Sequence, residues 1–232
     1  MKKYSHIFFD LDNTLWDFDR NSSETLYELY EKYKLADLGI KSPEHFIGKY
    51  QERNAMMWEQ YRLGKIDKDT LRNKRFEFTF WDLGIEAVEK ISAQMSDDYV
   101  SAAPKRNHLF PDAFEVLEYL HEKYVLHIIT NGFHEAQFVK LDGTGIRKFF
   151  RNIIISEHVG YKKPDVNIFY YAVDSAKTKA EECIMIGDGL EVDVLGAQNA
   201  GWDAIYFNPK RIGHSEIITH EIAALAELKD IL

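Results

Sequence analysis

HIFFDLDNTL (residues 6–15) is the stretch on which the fold turns. Three apolar residues, Ile7, Phe8 and Phe9, run without alternation into an acid, Asp10. A short continuous apolar run of this kind reads as a strand buried on both faces. A second acid, Asp12, comes two residues later, with Asn13 and Thr14 behind it. Carboxylates that close repel each other and lose hydration. A buried strand ending in such a pair needs a partner that offsets the cost.

The strand has companions. Residues 124–130 (YVLHIIT), 152–156 (NIIIS), 183–187 (CIMIG) and 203–207 (DAIYF) are apolar nearly throughout. Helical patterns alternate with them from Asp112 onward and at 133–142, 165–176 and 190–200, and a helix over 216–231 is expected to close the chain. Asp112 with Glu115 reads as the opening of the first of these helices. Apolar strands alternating with helices indicate an α/β fold, a Rossmann-like parallel sheet flanked by helices.

Residues 22–99 have a different texture and read as helical throughout. Asn21 with Glu24, Ser42-Pro43, Asp67 and Ile85-Glu86 mark four helix starts, and Gly39, Gly64 and Gly84 fall in the breaks. Four helices with short connections make a small bundle. The expected division is an α/β domain over 1–16 and 101–232, with an inserted helical-bundle cap domain over 17–100.

Bulk composition removes several function classes. The chain has 232 residues and a formal charge of −9, which argues against a nucleic-acid grip built on concentrated Lys and Arg. It also weighs against an anionic membrane surface. No apolar stretch approaches the length of a membrane span. Its one cysteine, Cys183, lies in an apolar strand and reads as a buried small hydrophobe. The opening MKKYSHIFF lacks a signal-like apolar segment. These readings give the expectation of a soluble, cytoplasmic protein.

The polar residues fall where strands end. The first strand ends in Asp10, the second in Thr130 followed by Asn131-Gly132. The third is followed by GYKKPD, with Lys162 and Lys163, and the fourth by GDGLEVD, with Asp188 and Asp193. In an open parallel α/β sheet, ligands bind beyond the carboxyl ends of the strands. Three or four carboxylates with few nitrogen or sulfur ligands suit a hard cation such as Mg²⁺, which readily takes a phosphate oxygen. A threonine hydroxyl, nearby backbone N–H groups and a lysine suit the other oxygens of a phosphoryl group. An aspartate in line with phosphorus can act as nucleophile, and a second acid can protonate the leaving oxygen and then deprotonate water. Asp193 is also placed to cap a helix, and spacing does not choose between Lys162 and Lys163.

DLDNT, ITN, the lysine of KKP and GDGLEVD together resemble the four motifs of the haloacid dehalogenase-like (HAD) hydrolase superfamily, in family order, over the whole chain. The resemblance implies that Asp10 is the nucleophile, becoming an aspartyl phosphate, and that Asp12 is the general acid/base. It implies phosphate binding by Thr130, Asn131 and Lys163, selecting Lys163 as the lysine directly before proline. It implies a Mg²⁺ site made by Asp10, the Asp12 backbone carbonyl, Asp188 and, as a ligand or a support, Asp193. The inserted helices look like the type-one cap of subfamily I. WDFDRN, ITNGF with Gln137 and Leu141, and ISEHVGYKKPD are further similar to pyrimidine 5′-nucleotidases of the YjjG/YfnB branch. The implied substrate is a small phosphomonoester, foremost a pyrimidine nucleoside 5′-monophosphate.

Alternatives within this reading are a sugar-phosphate or phosphoglycolate phosphatase, a haloacid dehalogenase or a phosphomutase. Dehalogenases lack an acid two residues after the nucleophile, so Asp12 speaks for phosphoryl transfer. A receiver-type signalling module shares the aspartyl phosphate, but it is about half this length and has no place for a cap. Trp16 and Phe18, which lead from the first motif toward the cap, are candidates for the substrate pocket. Of the cap aromatics Phe46, Tyr50, Trp58, Tyr61, Phe76, Phe78, Phe80 and Trp81, most are expected in the bundle core, as ordinary apolar packing requires.

Overall fold

A computed structural model describes residues 3–86 and 88–232; Met1, Lys2 and Ala87, within the ranges expected for the two domains, lie outside the described residues. Strand β1 (His6–Phe9) comes first. Four helices follow: α1 (Phe18–Lys32), α2 (Pro43–Arg62), α3 (Lys68–Asp82) and α4 (Glu89–Ala102). The chain then alternates through α5 (Ala113–His121), β2 (Val125–Thr130), α6 (His134–Gly143) and β3 (Phe150–Ile155). After α7 (Ser156–Val159) and α8 (Val166–Ala176) it enters β4 (Cys183–Gly187). A π-helical stretch, Leu190–Leu195, and α9 (Gly196–Asn199) lead to β5 (Asp203–Phe207), β6 (His220–Ile222) and α10 (Leu228–Ile231).

The six strands form one parallel sheet in the order β3-β2-β1-β4-β5-β6. Alternation along β1 explains its apolar composition. Ile7 and Phe9 pack into a cluster with Leu117, Leu120, Ile128 and Ile186, while Phe8 faces Ile129, Phe169, Met185 and Trp202. Both faces are therefore covered, as a parallel sheet requires. Each fully buried side chain of this size contributes about 2 kcal/mol.

Contacts divide the chain into two compact units: the segment up to Phe18 with Asn107–Leu232, and Asp19–Arg106. The second unit carries its own core of Leu26, Tyr30, Phe46, Tyr50, Phe76, Phe80, Met95 and Tyr99. Two of its helix starts are physical caps. Ser42 accepts from the His45 N–H, with Pro43 at the first helical position, and Asp67 accepts from the Thr70 N–H. Asn21 does not cap α1, which starts three residues earlier; it is buried in the helix interior. Asp112 takes a left-handed conformation (φ 63°) before α5 and makes no side-chain cap bond.

Two expected helices are corrected. Over 216–231 only Leu228–Ile231 is α-helical, and His220–Ile222 instead extends the sheet beside β5. Ile222, Leu225 and Leu228 are the buried residues there, a spacing of three that imitates a helix face. The open edge of β5 offers backbone partners, and the β-branched run Ile217-Ile218-Thr219 disfavours helix. Over 190–200 the turn is widened into the π-helical stretch, in which the N–H groups of Asp193 and Val194 both point to the Gly189 carbonyl.

Candidate active site

Sheet order determines where a site can form. β1 lies between β2 and β4, and the chain winds outward from it on one side before crossing to the other. The crevice of such a sheet opens at the carboxyl ends of those strands. Asp10 follows β1 directly, and its N–H continues the ladder to the Ile186 carbonyl of β4 at 2.9 Å. Asp188 follows β4 and is tied to the β1 loop through Thr14. The Thr14 hydroxyl accepts from the Asp188 N–H (3.0 Å) and donates to Asp188 Oδ1 (3.2 Å).

Asp193 is brought back to the same place by the π-helical turn, where its Oδ2 accepts from the Gly189 N–H at 2.9 Å. Gly187 and Gly189 permit this approach: a Cβ on Gly187 would lie 2.4 Å from Asp193 Oδ2. One oxygen from each of Asp10, Asp188 and Asp193 lies within 4.8 Å of the others. Lys163 enters this group from the loop before α8. Its ammonium donates to Asp10 Oδ1 (2.7 Å), Asp193 Oδ1 (2.5 Å) and the Ile129 carbonyl (2.8 Å).

Three carboxylates face one ammonium, so two negative charges are unmatched. The titration behaviour follows. Burial, with Asp193 and Asp12 adding repulsion against the Lys163 attraction, pushes the Asp10 carboxyl up to about 7. Burial and then the charges of Asp10 and Asp193 hold Asp188 well above the usual carboxylate range. For Lys163, burial opposes the charge, but Asp10 and Asp193 outweigh it and raise the ammonium's affinity for its proton. An all-oxygen donor set with a twofold charge deficit fits a hard divalent cation.

Thr130 ends β2, and its hydroxyl accepts from the Gly132 N–H at 3.0 Å, which leaves its own proton for another acceptor. Asn131 sits beside it, but its side chain is engaged elsewhere. Nδ2 donates to the Lys163 carbonyl and Oδ1 accepts from the Lys163 N–H, both at 2.9 Å. That amide thus clamps the segment that carries Lys163.

Asp12 stands apart from the carboxylate cluster. Lys140 Nζ donates to its Oδ1 at 2.6 Å and Gln137 Nε2 to its Oδ2 at 2.8 Å. The opening pair of acids is therefore stabilised separately, Asp10 by Lys163 and Asp12 by α6. Trp16 is buried in the sheet core, and its ring lies 4.4 Å from the Lys140 ammonium; the Phe18 ring is 5.9 Å away. Motif reading names Thr14 and Gln137 without giving either a role at the site, and it does not single out Lys140. A signal existed for α6: Gln137, Lys140 and Leu141 share one helical face, and two polar residues on an inward face call for partners.

Residues 4–201 match the family described as haloacid dehalogenase-like hydrolase. This chain belongs to that family. Over its full length it is 32% identical to the HAD-hydrolase YfnB of Bacillus subtilis (strain 168), covering 97% of that protein. A crystal structure of YfnB bound to magnesium, described as revealing interdomain movement, matches with a TM-score of 0.88 over 99% of both chains. The hydrolase is equally 32% identical, over 99% of its length, to two proteins named pyrimidine 5′-nucleotidase. They are PynA of Streptococcus pneumoniae (strain ATCC BAA-255 / R6) and YjjG of Escherichia coli (strain K12), covered to 95% and 98%. Among the described residues of this hydrolase, no helix is long and apolar enough to cross a membrane.

Proposed function

We propose that this hydrolase is a Mg²⁺-dependent phosphomonoesterase working through an aspartyl phosphate, with pyrimidine nucleoside 5′-monophosphates as its preferred substrates. The observation that carries the reading is the unmatched charge at the carboxyl ends of β1 and β4, beside a second acid held separately. Asp10, Asp188 and Asp193 have the oxygen donors and spacing to hold Mg²⁺, which when bound offsets charge on the phosphoryl oxygens.

The protein's own groups divide the chemistry. An Asp10 oxygen attacks phosphorus, and the bond from phosphorus to the ester oxygen breaks. Asp12, protonated for this step, gives its proton to the departing alkoxide. Water then attacks phosphorus in the aspartyl phosphate, Asp12 takes a proton from it, and Asp10 and inorganic phosphate are released. Thr130 has a hydroxyl proton to offer a phosphoryl oxygen. Lys163 keeps a positive charge against Asp10 throughout, because the charges of Asp10 and Asp193 outweigh the opposing effect of burial and hold its proton firmly.

The nucleotide preference is supported by full-length similarity to two named pyrimidine 5′-nucleotidases. Phosphate release measured with Mg²⁺ across UMP, dUMP, dTMP, 5-substituted pyrimidine monophosphates, purine monophosphates and hexose phosphates tests it. Pyrimidine monophosphates are expected to give the highest kcat/KM. A preference for hexose phosphates overturns the nucleotidase reading and leaves the mechanism standing. Asp10→Asn is expected to abolish turnover, and wild-type turnover in that variant overturns the nucleophile.

A further inference from the structure

The side chain of Asp12 is 26% exposed on one side and tied down on the other. Each of its two oxygens receives one donor, and both donors come from the same face of α6. Gln137 is fully buried and Lys140 nearly so. A buried ammonium is costly unless it is paired, and Lys140 is paired with a single carboxylate and backed by an indole face. Gln137 reaches Asp12 only because residue 132 is glycine. A Cβ there would lie 1.4 Å from Gln137 Nε2 and 3.2 Å from Asp12 Oδ2.

Two donors on two oxygens set the plane of a carboxylate as well as its position. Each oxygen keeps a further lone pair, and the side chain remains partly exposed. A proton donor to a leaving group needs this, because the transfer requires hydrogen-bond reach and alignment. A misplacement of about 1 Å can cost on the order of a hundredfold in rate. We infer that Gln137 and Lys140, with Gly132 giving access and Trp16 backing the ammonium, are positioning residues that orient the Asp12 carboxylate for proton transfer to the leaving alkoxide. The inference rests on the phosphomonoesterase reading above and adds three residues and an aromatic support to it.

Leaving-group dependence separates this role from a purely structural one. The ratio kcat/KM covers the steps up to formation of the aspartyl phosphate, where Asp12 acts as an acid. A nucleoside monophosphate releases an alkoxide that needs the proton, whereas para-nitrophenyl phosphate releases a stable phenolate that needs it far less. Lys140→Met keeps the alkyl stem and removes the donor. It is expected to lower kcat/KM for the nucleotide at least about tenfold more than for the aryl ester. Lys140→Arg, which retains a donor, is expected to recover most of that selective loss.

Gln137→Met removes the other donor without changing charge and is expected to act in the same direction, as is Gly132→Ala. Thermal melts identify which variants are folded, and the Gln137 and Lys140 variants test the idea independently. Equal loss on both esters in the folded variants overturns the inference and marks the contacts as structural. Failure of the wild-type protein to release phosphate from either ester overturns the phosphomonoesterase reading instead.

Discussion

Lys163→Met removes the one cation from the carboxylate cluster while nearly preserving shape. The Lys163 side chain is 1% exposed, and all three ammonium protons are used, on Asp10, Asp193 and the Ile129 carbonyl. Methionine fills similar volume, so little cavity forms. Breaking a buried ion pair costs about 3–5 kcal/mol, and an orphaned Ile129 carbonyl adds about 1 kcal/mol. Against a typical total stability of about 5–15 kcal/mol, a loss of roughly 4–6 kcal/mol leaves a marginal protein. At about 2–4 °C per kcal/mol for a chain of this size, the melting temperature falls by at least about 8 °C.

The assay is thermal and urea unfolding of both proteins in EDTA and in excess Mg²⁺. A divalent ion among the same carboxylates stabilises the folded state by about 2.7 kcal/mol at a hundredfold excess over Kd. Mg²⁺ is therefore expected to restore part of the variant's loss. In metal-free wild type the sign with pH is also set. Asp10 is raised from 3.8 to about 7 in the folded state, so the folded protein takes up the proton first. Its contribution to stability grows as pH falls through about 7 and is lost as pH rises through that value. A Lys163→Met protein melting within about 2 °C of wild type in EDTA would refute the charge argument.

Two further outcomes are expected. His127 is buried between the rings of Phe8 and His6, and burial, then the neighbouring His6 and Arg151, pull it down to about 3. Its folded value lies below the unfolded value of 6.5, so its stability contribution is full above that pH and is lost on acidification. Between pH 6.5 and pH 5 the loss is about 1.5 kcal/mol, measurable by urea unfolding with Mg²⁺ saturating; a flat profile there refutes it. Asn131→Ala deletes two hydrogen bonds to the Lys163 backbone, worth about 2 kcal/mol together. It is expected to lower kcat/KM by at least about tenfold through displacement of Lys163, and steady-state kinetics with unchanged constants would contradict the clamp.

Much of the sheet is legible in the chain because a doubly covered strand must be apolar on both sides. Ile7-Phe8-Phe9 and Cys183-Ile184-Met185-Ile186 announce themselves without help from their neighbours. The closing segment does not. Its Ile222, Leu225 and Leu228 fit a helical period, and only the vacant edge of β5 makes His220–Ile222 a strand. Edge pairing is decided by a backbone partner far away in sequence, to which local periodicity is blind.

The same line divides the polar residues. Strand ends rich in Asp, Thr and Lys indicate hard-cation and phosphoryl chemistry wherever the strands finally lie, because donor type alone selects the ligand class. Sequence thus pointed to the class of ligand proposed above and to the strands that present its donors. Tertiary packing decided the division of labour. It turned Lys163 inward toward Asp10 and Asp193, committed the Asn131 amide to the Lys163 backbone, and placed Gln137 and Lys140 against Asp12. These pairs lie 30 to 153 residues apart, and a contact of a few ångströms between them follows from strand order and loop path, which no local pattern encodes.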